Sequence, residues 1–592
     1  MNIPDMNKAA PPRGRRRCLA AALALLLLFP ACAHREARYT PESVAPPPTM
    51  EAAKIRLETT LPERAAASAG VTAPDPAPVN ITLADAIQTA LTRNRSLAVQ
   101  SYSPSIARKS IDEARAAFDP GLTANMNYRN QNLPGVTTTA SDTTTAATGQ
   151  SGTAETTDSL TQALTVFQTL LKETQKIERV LEAGNTTVTH TNTLGSDATL
   201  SQPLPSGTQV YVTGDYGRND SSLLADGIYS GDWSVGVSQA LLRGFGSDVN
   251  LVSLRTARNN AAISDYALRD FTLQLVAQVE TAYWGLAMAQ ETLRIQEFAL
   301  GLAQEQLDLN QAMISVGKLS GSARFSAESE VASKKADLVN AQAALINRAI
   351  NLWQLLNPDT QTPESLQFLP ITLPEVRDPV PTPAECVALA DLFRPDLAQA
   401  RLDLANGQLA VVQTKNGLLP QLDAFVSYGA NSSGAGSGSW SRYLDDMTYD
   451  RFEAGLSFTL TLGNRAEKAR YQRAKLQLDQ AGASIRNLQQ NIEAELRKAI
   501  AESAREVEQV AASHQEVINR EQELAVETEQ FRLGRSTNLN VLQVQQKLVQ
   551  AKMQEAAARV GRLQAVTSLY QKEGTLLTRR GIVLDKDREP LS

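Results

Sequence analysis

The chain repeats itself, and the repeat limits what it can fold into. Asn94-Arg95-Ser96-Leu97 recurs as Arg394-Pro395-Asp396-Leu397, a spacing of 300 residues. At that spacing Asp85-Ala86 falls on Glu385-Cys386, and Pro120-Gly121-Leu122 falls on Pro420-Gln421-Leu422. Farther along the spacing is 217, so that Gly317 meets Gly534, Leu307 meets Leu524, and Leu352-Trp353 meets Leu569-Tyr570. The change from 300 to 217 puts about 83 additional residues into the first copy, between the two matched blocks. This is a duplicated unit with an insertion.

Each unit reads in the same order. A helix (82 to 117, then 383 to 418) stops at Pro120 or Pro420. Strand-like segments follow, and then two long helices. No proline occurs from about 247 to 316 or from about 466 to 533, and about 70 helical residues make a rod of about 105 Å. Ile295, Phe298, Leu302, Glu305, Leu309, Ala312 and Val316 step by three and four. Val507, Val510, His514, Val517, Glu521, Leu524, Thr528 and Phe531 do the same. Such seams predict helix pairing, and Glu305, His514 and Glu521 on them suit helices that also meet water. Gly317 and Gly534 predict tight turns at the rod ends, with returning helices over about 320 to 356 and 537 to 573.

The strand candidates alternate. Leu122, Ala124, Met126 and Tyr128 form one apolar set and Val235, Val237 and Gln239 another; in the second unit come Leu422, Ala424, Val426 and Tyr428, then Phe452, Ala454, Leu456, Phe458 and Leu460. An apolar face backed by Ser427, Gly429, Gly455, Ser457 and Thr459 fits a barrel with lipid outside and water inside, but equally half of a soluble sandwich. Residues 133 to 230 hold a Thr-rich run (Thr137 to Thr157), an amphipathic helix candidate (Leu160 to Leu181) and strand-like pieces at Thr186 to Leu200 and Thr208 to Tyr216. The expectation is four membrane strands with an enlarged loop region; entry of both extra pieces would make six.

Arg13, Arg15, Arg16 and Arg17 precede an apolar run from Leu19 to Phe29, an export signal too short to span a bilayer. Cleavage after Ala31-Cys32-Ala33 competes with a lipobox reading of Phe29-Pro30-Ala31-Cys32 in which Cys32 is lipidated. Prolines between Pro41 and Pro78 make an extended linker. The division expected is a signal peptide at 1–33, a Pro/Ala-rich linker at 34–80, a first repeat at 81–358 with its insertion at 133–230, a Pro-rich connector at 359–382, a second repeat at 383–578 and a tail at 579–592.

Net charge is -6, which offers no footprint for nucleic acid. His34, His190 and His514 are scattered with no metal-ligand spacing, so no metal, cofactor or catalytic site is expected. Gly434-Ala435-Gly436-Ser437-Gly438 lacks the setting of a nucleotide loop, and Cys386 stands where the first copy has Ala86, as a small packed residue would.

The opening helix from Ile81 through Leu97, the second entry at Arg394-Pro395-Asp396-Leu397 with Leu419-Pro420-Gln421-Leu422, the passage Ser238 to Gly244, and the turn from Phe531 through Gln543 together resemble the TolC-like outer-membrane efflux family. The resemblance runs from about 81 to 578. It implies a mainly α fold with a β-barrel part: an internally duplicated protomer of a trimeric outer-membrane β-barrel, continued by a long periplasmic α-helical barrel. It also implies a passive duct for efflux or type I secretion, carrying small molecules or proteins, with a periplasmic adaptor and an inner-membrane transporter as partners. The gate would lie at the turns, at Lys318, Ser320 and Arg324 in the first and Arg535, Thr537, Asn538, Asn540 and Gln543 in the second. Where the family's channels carry constriction aspartates this chain has Asn540 and Gln543, which implies a neutral or anion-tolerant gate. The rival reading is a periplasmic coiled-coil adaptor or scaffold without a pore.

Overall fold

The computed structural model describes residues 81–133, 189–221, 227–357, 374, 381–435 and 449–583. The signal, Cys32, the linker, the Thr-rich run and the helix candidate Leu160 to Leu181 lie outside the described residues.

Each unit opens with two helices rather than one. Helix α1 (Leu83–Arg93) and α2 (Arg95–Ala116) are separated at Asn94, whose side chain caps α2 by accepting from the Leu97 amide. Their counterparts α6 (Pro383–Phe393) and α7 (Pro395–Gly417) break at Arg394. Proline at the first position of α7 lacks the amide that would continue the preceding helix. Thr82 with Asp85 and Thr382 with Glu385 form capping boxes at matching places, so the duplication is preserved in hydrogen bonds as well as in order.

Six strands follow, four in the first unit: β1 (Gly121–Leu133), β2 (Thr189–Pro203), β3 (Thr208–Ser221) and β4 (Ile228–Ala240), then β5 (Gln421–Ala435) and β6 (Tyr449–Thr459). They form one antiparallel sheet in the order β1-β2-β3-β4-β5-β6. The sheet thus has six strands, against the four expected. Because β2 and β3 lie between β1 and β4 and pair with them along nearly their whole lengths, they belong to the same wall rather than to a loop. At the lower turn, Gly207 has φ +84 and Asn250 donates to the carbonyls of Pro205 and Gly244 at 3.1 and 2.8 Å. One side chain thereby ties the β2–β3 turn to the exit of β4.

After a one-turn helix α3 (Ser247–Asn250), the rods are α4 (Val252–Ser315) with its return α5 (Ser322–Leu356), and α8 (Arg465–Arg532) with its return α9 (Asn538–Glu573). At 64 and 68 residues the rods are about 95 to 100 Å long. No helix among the described residues is long and apolar enough to cross a membrane. The seam of α4 differs from the expected one. Ile295 is buried, but beyond it the buried positions are Ala299, Ala303, Gln306, Asn310 and Met313, whereas Phe298 and Val316 are exposed. The inward seam is small and polar and lies one residue beside the large apolar series. In α8 Val517 and Phe531 do turn inward, while His514 and Glu521 reach across to Glu555 and Lys552 of α9.

The main core gathers α1, the middle of α4, the end of α5, the end of α9 and the short helix α10 (Leu576–Arg579) around Ala86, Val279, Trp284, Leu286, Leu352 and Leu576. Within it Glu280, fully buried, accepts two bonds from Arg580 at 2.6 and 2.8 Å and one from Thr567 at 2.7 Å. Cys386 packs with Ala390, Leu397 and Leu496. Burial, reinforced by the neighbouring Glu573, pushes its thiol up to about 12, so it stays protonated and packs as a small core residue.

Candidate functional site

Both rods end in the same turn. Gly317, at φ +76, donates to the Ile314 carbonyl and Lys318 to the Met313 carbonyl, both at 2.9 Å. Gly534, at φ +75, donates to Phe531 at 2.9 Å and Arg535 to Gln530 at 2.8 Å. This paired 5→2 and 6→1 closure needs a left-handed residue, which glycine adopts without a Cβ clash. Lys318 and Arg535, the residues after each glycine, are consequently exposed at the very ends of the rods.

The structure separates the expected tip residues. Asn538 alone enters a contact between the two units: its Oδ1 accepts from Gln306 Nε2 and from Asn310 Nδ2, each at 3.0 Å. Gln306 also donates to Asn310 Oδ1 at 2.9 Å, and Asn310 Nδ2 lies 3.4 Å from the Ala323 carbonyl. With Gln306 3% and Asn310 0% exposed, this amide cluster joins α4, the start of α5 and the start of α9. Thr537 caps α9 by accepting from the Asn540 amide. Ser320 accepts from the Ser322 hydroxyl, and Arg324 pairs with Glu328 on its own helix at 2.7 Å. Asn540 donates to Ser536 on its own turn, and Gln543 is exposed. Gln306 and Asn310 were not among the expected residues; the signal available was two amides four apart on a rod face. Val316, Phe325, Leu533 and Leu539 are all more than 60% exposed beside the turns.

The sheet has one feature that no single strand reveals. Register places Asn125, Asp197, Asp215, Asp232 and Asn431 opposite one another across five strands, all on the polar face. Asn125 donates to Asp197 at 2.8 Å, and Arg451 reaches over β5 to Asp232 at 3.2 Å. Directly opposed carboxylates repel, and such a row is tolerated where water solvates it.

The sequence profile of the outer membrane efflux protein family matches residues 201–358 and 388–575. The chain belongs to that family. It is 28% identical over 338 residues to the pyoverdine export outer membrane protein OpmQ of Pseudomonas putida, covering 54% of this chain and 67% of that one. It is 23% identical over 319 residues to the proteases secretion protein PrtF of Dickeya chrysanthemi, covering 53% and 67%. Its fold matches the outer-membrane channel OprN at a TM-score of 0.57 and 17% identity, covering 83% of this chain and 90% of that one. It matches VceC from Vibrio cholerae at 0.56 and 15%, covering 83% and 96%.

As a member of this family the chain is an outer-membrane channel of an efflux or secretion system, extending into the periplasm. The membrane part of this outer-membrane channel is the sheet, whose strands pair with one another along their lengths as a lipid-spanning wall requires. Its apolar face, with Val212, Val426, Phe452, Leu456 and Phe458 exposed, meets lipid, and its polar face meets water. The acidic row therefore lines the lumen. The pore-less scaffold reading gains no support from either the sheet or the family.

Proposed function

We propose that three copies of this chain form a passive duct that is shut and opened at the rod ends, working with a periplasmic adaptor and an inner-membrane transporter. The observation that carries this reading is the buried Gln306–Asn310–Asn538 cluster. It lies next to both turns, where a helical barrel narrows, and it joins the two duplicated units by side-chain bonds that water can replace. An adaptor that draws the hairpins apart exchanges the two buried amide bonds to Asn538 for hydrated ones, which makes the tip a two-state element. Exposed Val316, Phe325, Leu533 and Leu539, flanked by Lys318 and Arg535, give such an adaptor an apolar and basic surface to grip.

The three-copy assembly is supported by the sheet, whose first and last strands each leave one edge unpaired; a single chain with two such edges cannot remain in lipid. Cargo follows the partner pump, small molecules or proteins, because a passive duct supplies no free energy of its own. Outer-membrane extracts should contain a heat-sensitive trimer that conducts in planar bilayers. A detergent-extracted monomer, or a trimer that never conducts even with Gln306 and Asn538 replaced by Ala, would overturn the reading.

A further inference from the structure

The geometry points to a membrane wall of eighteen strands, closed by pairing β6 of one copy with β1 of the next in a register set by Arg129 and Glu453. This inference rests on the trimeric reading and adds to it the strand number, the seam and the width of the wall.

Strand number follows from order. β1 and β4 carry the alternation that marks a lipid-facing wall, and β2 and β3 are hydrogen-bonded between them. Their own faces continue the pattern: Leu200 faces Leu122 and Val212, and Val212 in turn faces Val235, all on the apolar side. Excluding the β2–β3 hairpin from the bilayer would require β1 or β4 to leave with it. Each copy therefore contributes six strands. Six is even, so β1 and β6 run in opposite directions and meet antiparallel at every seam.

The seam has complementary chemistry. Arg129 on β1 and Glu453 on β6 are both exposed and neither has an ion-pair partner among the described residues. Both project from the polar face, as the register of their strands with β2 and β5 shows: Arg129 opposes Thr193, and Glu453 opposes Ser427. Placing Arg129 of one copy opposite Glu453 of the next sets Asn125 beside Ser457 and Asn127 beside Gly455 on the water side. It also sets Met126 beside Leu456 and Ala124 beside Phe458 on the lipid side. A slip of one residue would put Arg129 on the lipid side of its neighbours and Phe458 in water. Only even slips preserve the faces, and among them this one pairs the two free charges.

The wall so formed is wide. With strands about 4.8 Å apart and tilted by about 40°, a closed barrel has a backbone radius of about 12 Å at twelve strands and about 18 Å at eighteen. The barrel would then be no obstacle to cargo that passes the rod ends.

Electron cryo-microscopy of the detergent-extracted full chain counts the strands directly, and an R129C/E453C variant tests the seam. Eighteen strands, with most of the double-cysteine protein recovered as covalent trimer after oxidation or a short bis-thiol reagent and none from either single variant, is the expected result. A trimer with twelve strands, β1 paired to β4, overturns the inference and leaves the trimeric duct intact. Eighteen strands with no cross-linked product overturns the register. A species that is not trimeric removes the reading on which both rest. As a check on folding, Arg129→Glu should lower the temperature at which the trimer dissociates, and combination with Glu453→Arg should restore it.

Discussion

Replacing Asn538 by Ala tests the tip cluster most directly. The substitution removes one oxygen that accepts two hydrogen bonds, from Gln306 and Asn310 at 3.0 Å each. Gln306 keeps its bond to Asn310, and Asn310 keeps its contact with the Ala323 carbonyl, so one N–H on each amide loses its partner. Both side chains are buried. A buried donor left unsatisfied costs about 1–3 kcal/mol, and water entering the gap lowers that, so about 2 kcal/mol per copy is a fair figure. In the open tip the same amides are hydrated and the substitution costs nothing there. In three copies the closed state would lose about 6 kcal/mol, against the roughly 5.5 kcal/mol that turns a 1:99 equilibrium into 99:1. Single-channel recording should show Asn538→Ala resting mainly in a high-conductance state, with the wild type mainly closed. Asn538→Leu combined with Gln306→Leu and Asn310→Leu should close again, because an apolar set of similar size leaves nothing unsatisfied. If Asn538→Ala lowers the melting temperature while its conductance matches the wild type, the cluster is structural and the gating argument is wrong.

Three further outcomes follow from the geometry. Arg580→Ala leaves Glu280 charged and buried with only Thr567 to hold it, and should cost about 3–5 kcal/mol in chemical denaturation, part of it recovered by adding Glu280→Gln. Gly207→Ala forces a side chain into a left-handed position where its Cβ would lie 2.2 Å from the Gly244 carbonyl oxygen; it should cost about 1–3 kcal/mol, read as earlier thermal dissociation of the extracted protein, whereas Gly121→Ala, whose Cβ meets nothing within 4 Å, should not. Replacing Asp197, Asp215 and Asp232 together with Asn should reduce cation preference, measured as a reversal potential moving toward zero in a salt gradient.

Much of this architecture is legible in the sequence because the duplication supplies a second reading of every element. The turn glycines 317 and 534 are fixed by left-handed backbone that few residues adopt, and the capping boxes at Thr82 and Thr382 are local hydrogen-bond patterns. What resisted reading depends on partners far away in the chain. The helix break at Asn94 carries no proline and shows only when the cap forms. On α4 the large apolar residues Phe298, Leu302 and Val316 make the more conspicuous heptad series. A rod with two apolar sides does not announce which side packs inside its own copy, and here the small series at Ala299 and Ala303 does. Gln306 and Asn310 lie on that less conspicuous side. Strands β2 and β3 are hard to read as wall because lipid-facing alternation is weak in any one segment, and β2 offers Leu194, Ala198 and Leu200 as its apolar set. The acidic row is invisible without the register.

The two ends of the path carry opposite chemistry, and this limits where discrimination can occur. On the wall, three carboxylates per copy face the lumen, with Arg451 tied to one of them. In the turns themselves (316–321 and 533–537) the exposed charged residues are Lys318 and Arg535, with amides rather than carboxylates at Asn540 and Gln543. A charge ring reaches everything in the aperture only where its width approaches the screening distance, about 8 Å at physiological salt. In a wall of backbone radius about 18 Å the carboxylates bias small ions near the surface and leave a large cargo on the axis untouched. At a closed bundle of helix ends every group lies within that distance. The same chain would then show cation preference when the tips stand open and the wall is the remaining charged surface, and lose it as the tips close. Recording reversal potential in the Asn538→Ala channel with and without the three Asp→Asn changes separates the two contributions. If opening the tips leaves ion preference unchanged, selectivity does not divide between wall and tip in this way.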